Sequence, residues 1–153
     1  MTQLEPIYNT KITCPVCSNA FEAGKVRSKF LRSRGQDTDL RPLYEGENPL
    51  FYDAVVCPSC GFAHIGSTFE DMTQNDFRVV REKITVKWTQ RDFSGPRTVE
   101  QAIEAYKLAL LNARIRLAPA SELAKACLRL SWMYRIKGDT VLDYKFMEYA
   151  FTY

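Results

Sequence analysis

Apolar residues change their period along the chain near residue 72. Before that point they fall in short stretches broken by glycine, proline and paired cysteines; after it they recur every three or four positions. Short runs bounded by turn residues read as strands, and a three-to-four spacing reads as one face of a helix. Strands are expected over Ile7–Thr13, Phe21–Val26, Leu50–Val56 and Phe62–Thr68. A helical connector follows from about Asn75 to Gln90. These shifts place a module at residues 1–72 and a helical region at residues 73–153.

The helical region opens after Ser94-Gly95-Pro96. Thr98-Val99-Glu100-Gln101 has the form of a capping box, in which the Thr98 hydroxyl takes an early N–H and Gln101 reaches back. Val99, Ala102, Ile103, Tyr106, Leu110 and Ala113 then make one apolar stripe. Pro119 stands at or just inside the start of the next helix, where a missing N–H costs little. Leu123, Cys127, Leu130 and Tyr134 follow on that helix, and Lys137-Gly138-Asp139 ends it. Thr140-Val141-Leu142-Asp143 reads as a second capping box, opening a helix with Tyr144, Met147 and Ala150. The pattern is still running at Tyr153, so a longer natural chain is expected. Leu130, Ser131, Tyr134, Gly138-Asp139, Met147 and Ala150 follow the order of a tetratricopeptide repeat, with Ala102, Tyr106 and Ala109 as the second helix of a preceding one. The offset from Ala109 to Ala150 exceeds the roughly 34 residues of the standard repeat, so either the helices are longer than standard or the unit is only a relative of that repeat.

The chemistry lies in two Cys-Pro-x-Cys pairs, Cys14-Pro15-Val16-Cys17 and Cys57-Pro58-Ser59-Cys60-Gly61. Two intervening residues let both sulfurs of a tight turn face one ion, and two such knuckles supply four thiolates for a closed tetrahedral zinc site. Strand, knuckle, strand, twice over, is the plan of a zinc ribbon. The expected fold is therefore α+β: a small zinc-ribbon-like β module with an inserted loop, then an antiparallel tetratricopeptide-like helical region. The spacing between the knuckles is longer than the roughly 15–20 residues of compact four-cysteine sites, which requires the insertion. One structural Zn²⁺ on Cys14, Cys17, Cys57 and Cys60 is the expected cofactor; iron in a rubredoxin-like centre is the alternative, because four thiolates accept both metals.

Composition narrows the class. With 46% hydrophobic and 25% charged residues the chain is globular. No apolar run approaches the roughly 18 residues of a membrane span. Met1-Thr2-Gln3-Leu4-Glu5-Pro6 lacks a basic region followed by an apolar stretch, so no secretory signal is read there and a cytoplasmic location is expected. The formal charge is +3. Four thiolates with one Zn²⁺ would bring it to about +1, which weakens any case from charge for nucleic acid.

Other groups carry less. His64 is the only histidine, and four cysteines already fill a tetrahedral site, so it is expected beside the metal or simply on its strand. Cys127 sits on an apolar stripe and is expected to be buried and inert. Lys25, Arg27, Lys29, Arg32 and Arg34 form a basic segment that can contact phosphates, or a solvated loop paired with Asp37 and Asp39. Asp37/Asp39 and Glu45/Glu47 are the only acid–base candidates, and alternating acids on a loop are ordinarily solvated. There is no phosphate loop, nucleophile elbow or histidine triad. No enzyme is expected. A scaffold for a protein partner is the leading reading, with a nucleic-acid-binding zinc ribbon using Lys25–Arg34 as the alternative.

The order of motifs resembles a bacterial family, domain of unknown function 2225. The residues that carry the resemblance are Cys14-Pro15-Val16-Cys17, Asp37-Thr38-Asp39, Asn48-Pro49-Leu50-Phe51-Tyr52-Asp53 and Cys57-Pro58-Ser59-Cys60-Gly61-Phe62-Ala63, followed by Arg97-Thr98 and Ala102-Ile103-Glu104-Ala105-Tyr106-Lys107-Leu108-Ala109. The resemblance implies this architecture, continued by further helices, and no established activity.

Overall fold

The computed structural model describes residues 4–153; Met1–Gln3 of the N-terminal stretch read above for a signal lie outside the described residues. Strands β1 (Ile7–Thr13) and β2 (Ala20–Val26) pair antiparallel, from Ile7 opposite Val26 to Thr13 opposite Ala20. The first Cys-Pro-x-Cys turn is the tip of this hairpin. The inserted segment is a hairpin of its own, β3 (Ser33–Gln36) against β4 (Pro42–Tyr44). Strands β5 (Ala54–Val56) and β6 (Ala63–Ile65) pair around the second turn. Four helices follow: α1 (Gln74–Lys83), α2 (Val99–Ile115), α3 (Ala120–Lys137) and α4 (Thr140–Thr152). The class is α+β. Among the described residues no helix is long and apolar enough to cross a membrane.

The expected strand over Leu50–Val56 is cut to its last three residues. Pro49–Tyr52 is a turn of 3-10 helix, because the Asn48 side chain accepts the Leu50 N–H at 2.9 Å and Pro49 starts the turn. The connector is shorter than the expected Asn75–Gln90. It ends at Lys83, passes through a 3-10 turn at Thr85–Lys87 and runs extended at Trp88. Its start has a Thr73/Asp76 capping box that the sequence reading passed over. The Thr98/Gln101 box is present in both directions, at 3.2 and 2.8 Å. The second expected box is not. Asp139 caps α4 by accepting the Leu142 N–H, and Asp143 turns inward to Ser131 and Arg135.

Two apolar clusters hold the chain together, and each draws on both sides of residue 72. One joins Leu50, Ala54, Val56 and Ala63 to Ala102, Ile103, Tyr106, Leu130 and Met133 of α2 and α3. The other joins the knuckle cysteines, Phe21, Val55 and Phe62 to Phe77 and Val80 of α1 and to Ile84. Strand β5 is the partition: successive side chains point to opposite faces, so Ala54 and Val56 enter one cluster and Val55 the other. The division expected at 72/73 therefore does not separate two cores. Arg97, buried before α2, fastens the Asn48–Asp53 segment by donating to the carbonyls of Phe51, Ala54 and Phe93 at 2.7–3.1 Å.

The insertion is not a free loop. Arg135 of α3 donates to Asp37 at 3.0 Å and to both Asp39 oxygens at 2.9 and 3.0 Å, while its Nε holds Asp143 at 2.9 Å. Trp132 Nε1 adds a bond to Asp39 at 3.0 Å. The solvated-loop reading of Asp37 and Asp39 is thus replaced by a latch between the insertion and α3. Backbone bonding at Thr38 and then Arg135 hold the Asp37 carboxyl below its ordinary range, and Arg135 does the same for Asp39. Depressed carboxylate pKa values stabilise the fold fully above the unfolded value, near 3.9, and this is lost as pH falls through the folded values. The latch should therefore hold through mild acid and open only below about pH 4. Asp39→Asn at neutral pH should raise amide exchange across β3 and β4 and remove about 1–2 kcal/mol. Unchanged exchange in that variant would mean that the latch does not hold the hairpin.

Candidate metal centre

Each knuckle closes on its own backbone. The Cys14 N–H bonds to Asn19 O at 2.9 Å and the Ser18 N–H to Cys14 O at 2.9 Å. The Cys57 N–H bonds to Phe62 O at 2.8 Å and the Gly61 N–H to Cys57 O at 3.1 Å. Ser18 and Gly61 occupy equivalent places, both left-handed, at φ 65° and 82°. These turns aim four sulfurs at one point. Cys14 Sγ lies 3.5 Å from Cys60 Sγ, Cys17 Sγ lies 3.6 Å from Cys57 Sγ, and all four fall within 4.8 Å of one another. A metal bound at about 2.3 Å by four sulfurs in a tetrahedron would separate them by about 3.8 Å, so the donor set fits one ion.

The electrostatics point the same way. Without a cation the thiols share protons: Cys14 is pushed up to about 12 by its bond to Cys57, and Cys60 is raised by bonds to Cys14 and Cys57. Cys57, which accepts those S–H hydrogen bonds as a thiolate, is lowered. One thiolate is favoured and further ionisation is resisted. A divalent ion reverses this by neutralising the added charge. The buried Phe62 N–H, 3.5 Å from Cys60 Sγ, supplies outer-shell stabilisation. Cys14, Cys57 and Cys60 are buried and Cys17 is half-buried. Four sulfurs around one ion would leave no open coordination position, the arrangement of a structural site.

The knuckle carbonyls are held from beyond residue 72. Arg81 of α1 donates to Val16 O at 3.0 Å. Thr85 Oγ1 donates to Cys60 O at 2.9 Å and Trp88 Nε1 to Pro58 O at 2.7 Å. Asn112, fully buried on α2, donates to Gly61 O at 3.2 Å. The sequence reading missed all four. Two left signals: Asn112 is a polar residue at a core position of the α2 stripe, and Trp88 stands in an otherwise polar stretch.

The remaining candidates lie apart from the cysteines. His64 is outside the four-sulfur cluster; its Nε2 faces Glu122 at 3.4 Å, and burial lowers its pKa. Cys127 is buried in α3, and burial pushes its thiol up, away from reactivity. The basic segment is dispersed. Arg27 donates to Glu5 O at 2.8 Å and lies over the Tyr8 ring. Lys25 lines a hollow with Leu31 and Asp53, whereas Arg34 lines another with Arg41 and Glu47. Lys29 and Arg32 are exposed. Glu45 is exposed, and Glu47 is half-buried.

No solved structure matches the chain. An uncharacterised protein of Borreliella burgdorferi is 26% identical over 175 residues, an alignment that covers 99% of this chain and 61% of that protein. The chain thus spans 61% of the length of that relative. A family model described as uncharacterised protein conserved in bacteria matches residues 7–153, and the knuckle, Asn-Pro and Arg97-Thr98 motifs all fall inside it: the chain belongs to this bacterial family, domain of unknown function 2225.

Proposed function

We propose that the protein is a non-enzymatic, zinc-stabilised cytoplasmic scaffold whose helical face holds a protein partner. The observation that carries this is the closed four-sulfur site whose backbone is held by α1, Thr85, Trp88 and α2. Such a site stabilises the fold and leaves the outer faces of α2, α3 and α4 as the working surface. Zinc is assigned over iron because it needs no redox partner and forms closed four-cysteine sites as a rule. The helix pair α3–α4, joined through Gly138-Asp139, supports the tetratricopeptide-like reading, in which stacked pairs present a concave surface. The carboxylate candidates give no support to an enzyme, since Asp37 and Asp39 are engaged by Arg135.

Exposed Lys25, Lys29, Arg32 and Arg34 favour a second reading, nucleic-acid binding through the insertion. Co-purification from the native cytosol, with and without nuclease, separates the two. A discrete protein retained after nuclease treatment, with one zinc per chain, is the expected result. Partners that vanish with nuclease, and with alanine at Arg27, Lys29, Arg32 and Arg34, would install the second reading instead.

A further inference from the structure

Helix α3 packs against both α2 and α4, and a groove of about 620 Å³ opens beside it between those two walls. Each wall presents a single helical face to it: Lys107, Leu110 and Arg114 from α2, and residues 142, 145, 146 and 149 from α4, with Tyr153 just past the end of that helix. The floor is apolar. Tyr134 stacks on Phe146 with ring centres 5.5 Å apart, and Tyr149 meets Phe146 edge-on at 5.7 Å. Cys127 lies beneath. The charge is of one sign. Lys107, Arg114 and Lys145 are all exposed, and no carboxylate side chain lines the groove. Among the described residues none of the three forms an ion pair; Lys107 instead sits 5.9 Å over the Tyr134 ring. Of the two acids on α4, Asp143 is taken by Ser131 and Arg135, and Glu148 does not line the groove.

Three uncompensated cations around a low-dielectric hollow focus a positive potential there, although the whole chain carries a formal charge of only +3. A ligand with carboxylates would relieve their mutual repulsion, and an apolar side chain of the same ligand would cover the exposed edges of the aromatic floor. A nucleic-acid strand fits less well, because the Tyr134 ring is already covered by Lys107 and Phe146 and gives no free face for a base. We infer that the α2–α3–α4 groove binds an acidic peptide segment of a partner protein, anchored by one leucine-like or aromatic side chain. The inference rests on the scaffold reading above and names the surface and the partner chemistry.

The test uses the full metal-loaded chain on an array of short peptides, each with one leucine or phenylalanine flanked by acidic, neutral or basic residues. Oligothymidylate serves as the nucleic-acid probe. Acidic peptides should be retained, with binding that weakens as salt rises. Lys107→Glu with Lys145→Glu should lower that binding about tenfold or more and move the preference to basic peptides. Both side chains are exposed, so the helical signal should be unchanged, and Lys29→Glu with Arg32→Glu should leave acidic binding as it was. Binding indifferent to peptide charge, or unaltered by the groove variants, would overturn the inference; so would capture of oligothymidylate by the groove in place of peptide. If that happens while a nuclease-resistant partner still co-purifies, the scaffold reading stands with its surface elsewhere. Loss of both sinks the two together.

Discussion

Replacing Cys57 with serine, or stripping the metal with a chelator, is expected to melt the helices along with the knuckles. The sequence alone suggests otherwise, because the composition shift near residue 72 reads as a boundary between a metal module and an independent helical region. The packing argues against independence. Cys57 and Cys60 share a cluster with Phe77, Val80 and Ile84, and β5 carries Ala54 and Val56 into the cluster of α2 and α3. If the second knuckle opens, β5 and β6 lose the turn that pairs them, and Asn112 loses the Gly61 carbonyl at the centre of α2. Structural zinc sites supply on the order of 10–16 kcal/mol, whereas a domain's net stability is about 5–15 kcal/mol. Removing one of four thiolates therefore takes most of the margin. The measurement is far-ultraviolet circular dichroism with metal content determined on the same sample. Helical signal and metal should fall together in Cys57→Ser, and one transition should describe both on chelation. Cys127→Ala is the control: it removes a buried thiol from α3 and should leave the metal stoichiometry intact. A Cys57→Ser protein that loses metal but keeps the α2–α4 signal would show that the helices fold without the knuckles.

What could be read in advance was whatever a few neighbouring residues determine. Cys-Pro-x-Cys fixes a knuckle within its own turn, and Thr98 with Gln101 fixes a helix start within four positions. Both are found as expected, and so is the hairpin around the first knuckle; around the second, the expected strands Leu50–Val56 and Phe62–Thr68 are cut to Ala54–Val56 and Ala63–Ile65. What could not be read were pairings across long stretches of chain. Asp37 and Asp39 look solvated until Arg135 is folded onto them. Arg81, Thr85 and Trp88 look like ordinary connector residues until the knuckle carbonyls arrive. Strand β5 lies inside the expected strand Leu50–Val56, but its role as a partition was hidden for a different reason: buried on both faces, it is apolar at every position and shows none of the alternation that marks a strand with one wet face. The Asn48-Pro49 start of the preceding 3-10 turn was visible as a motif and not as a structure, because its reason is a single side-chain cap.

Gly61 gives the second large effect, and it separates two physical causes. Its φ is 82°, a conformation that costs a residue with a side chain about 1–2 kcal/mol. A Cβ added there would also lie 2.6 and 2.7 Å from two ring atoms of Trp88 and 2.9 Å from Ile84 Cγ2. The ring cannot simply withdraw, since its Nε1 is bonded to Pro58 O at 2.7 Å within the same knuckle. Overpacking of this kind adds about 1–3 kcal/mol, so Gly61→Ala should remove about 2–5 kcal/mol from the metal-loaded protein. Gly138 supplies the comparison. Its φ is 91°, but nothing lies within 4 Å of the added carbon, so Gly138→Ala should show the backbone penalty alone. Ser18 makes the same point in the first knuckle, where a side chain is carried at φ 65°. Denaturant midpoints of the two alanine variants, measured with metal saturating, test the difference. Shrinking the ring with Trp88→Leu should recover part of the Gly61→Ala loss, so that the double variant is less destabilised than the two single changes summed. Equal losses at Gly61 and Gly138, with no coupling to residue 88, would mean that the close approach of Trp88 to the knuckle adds nothing to the backbone strain.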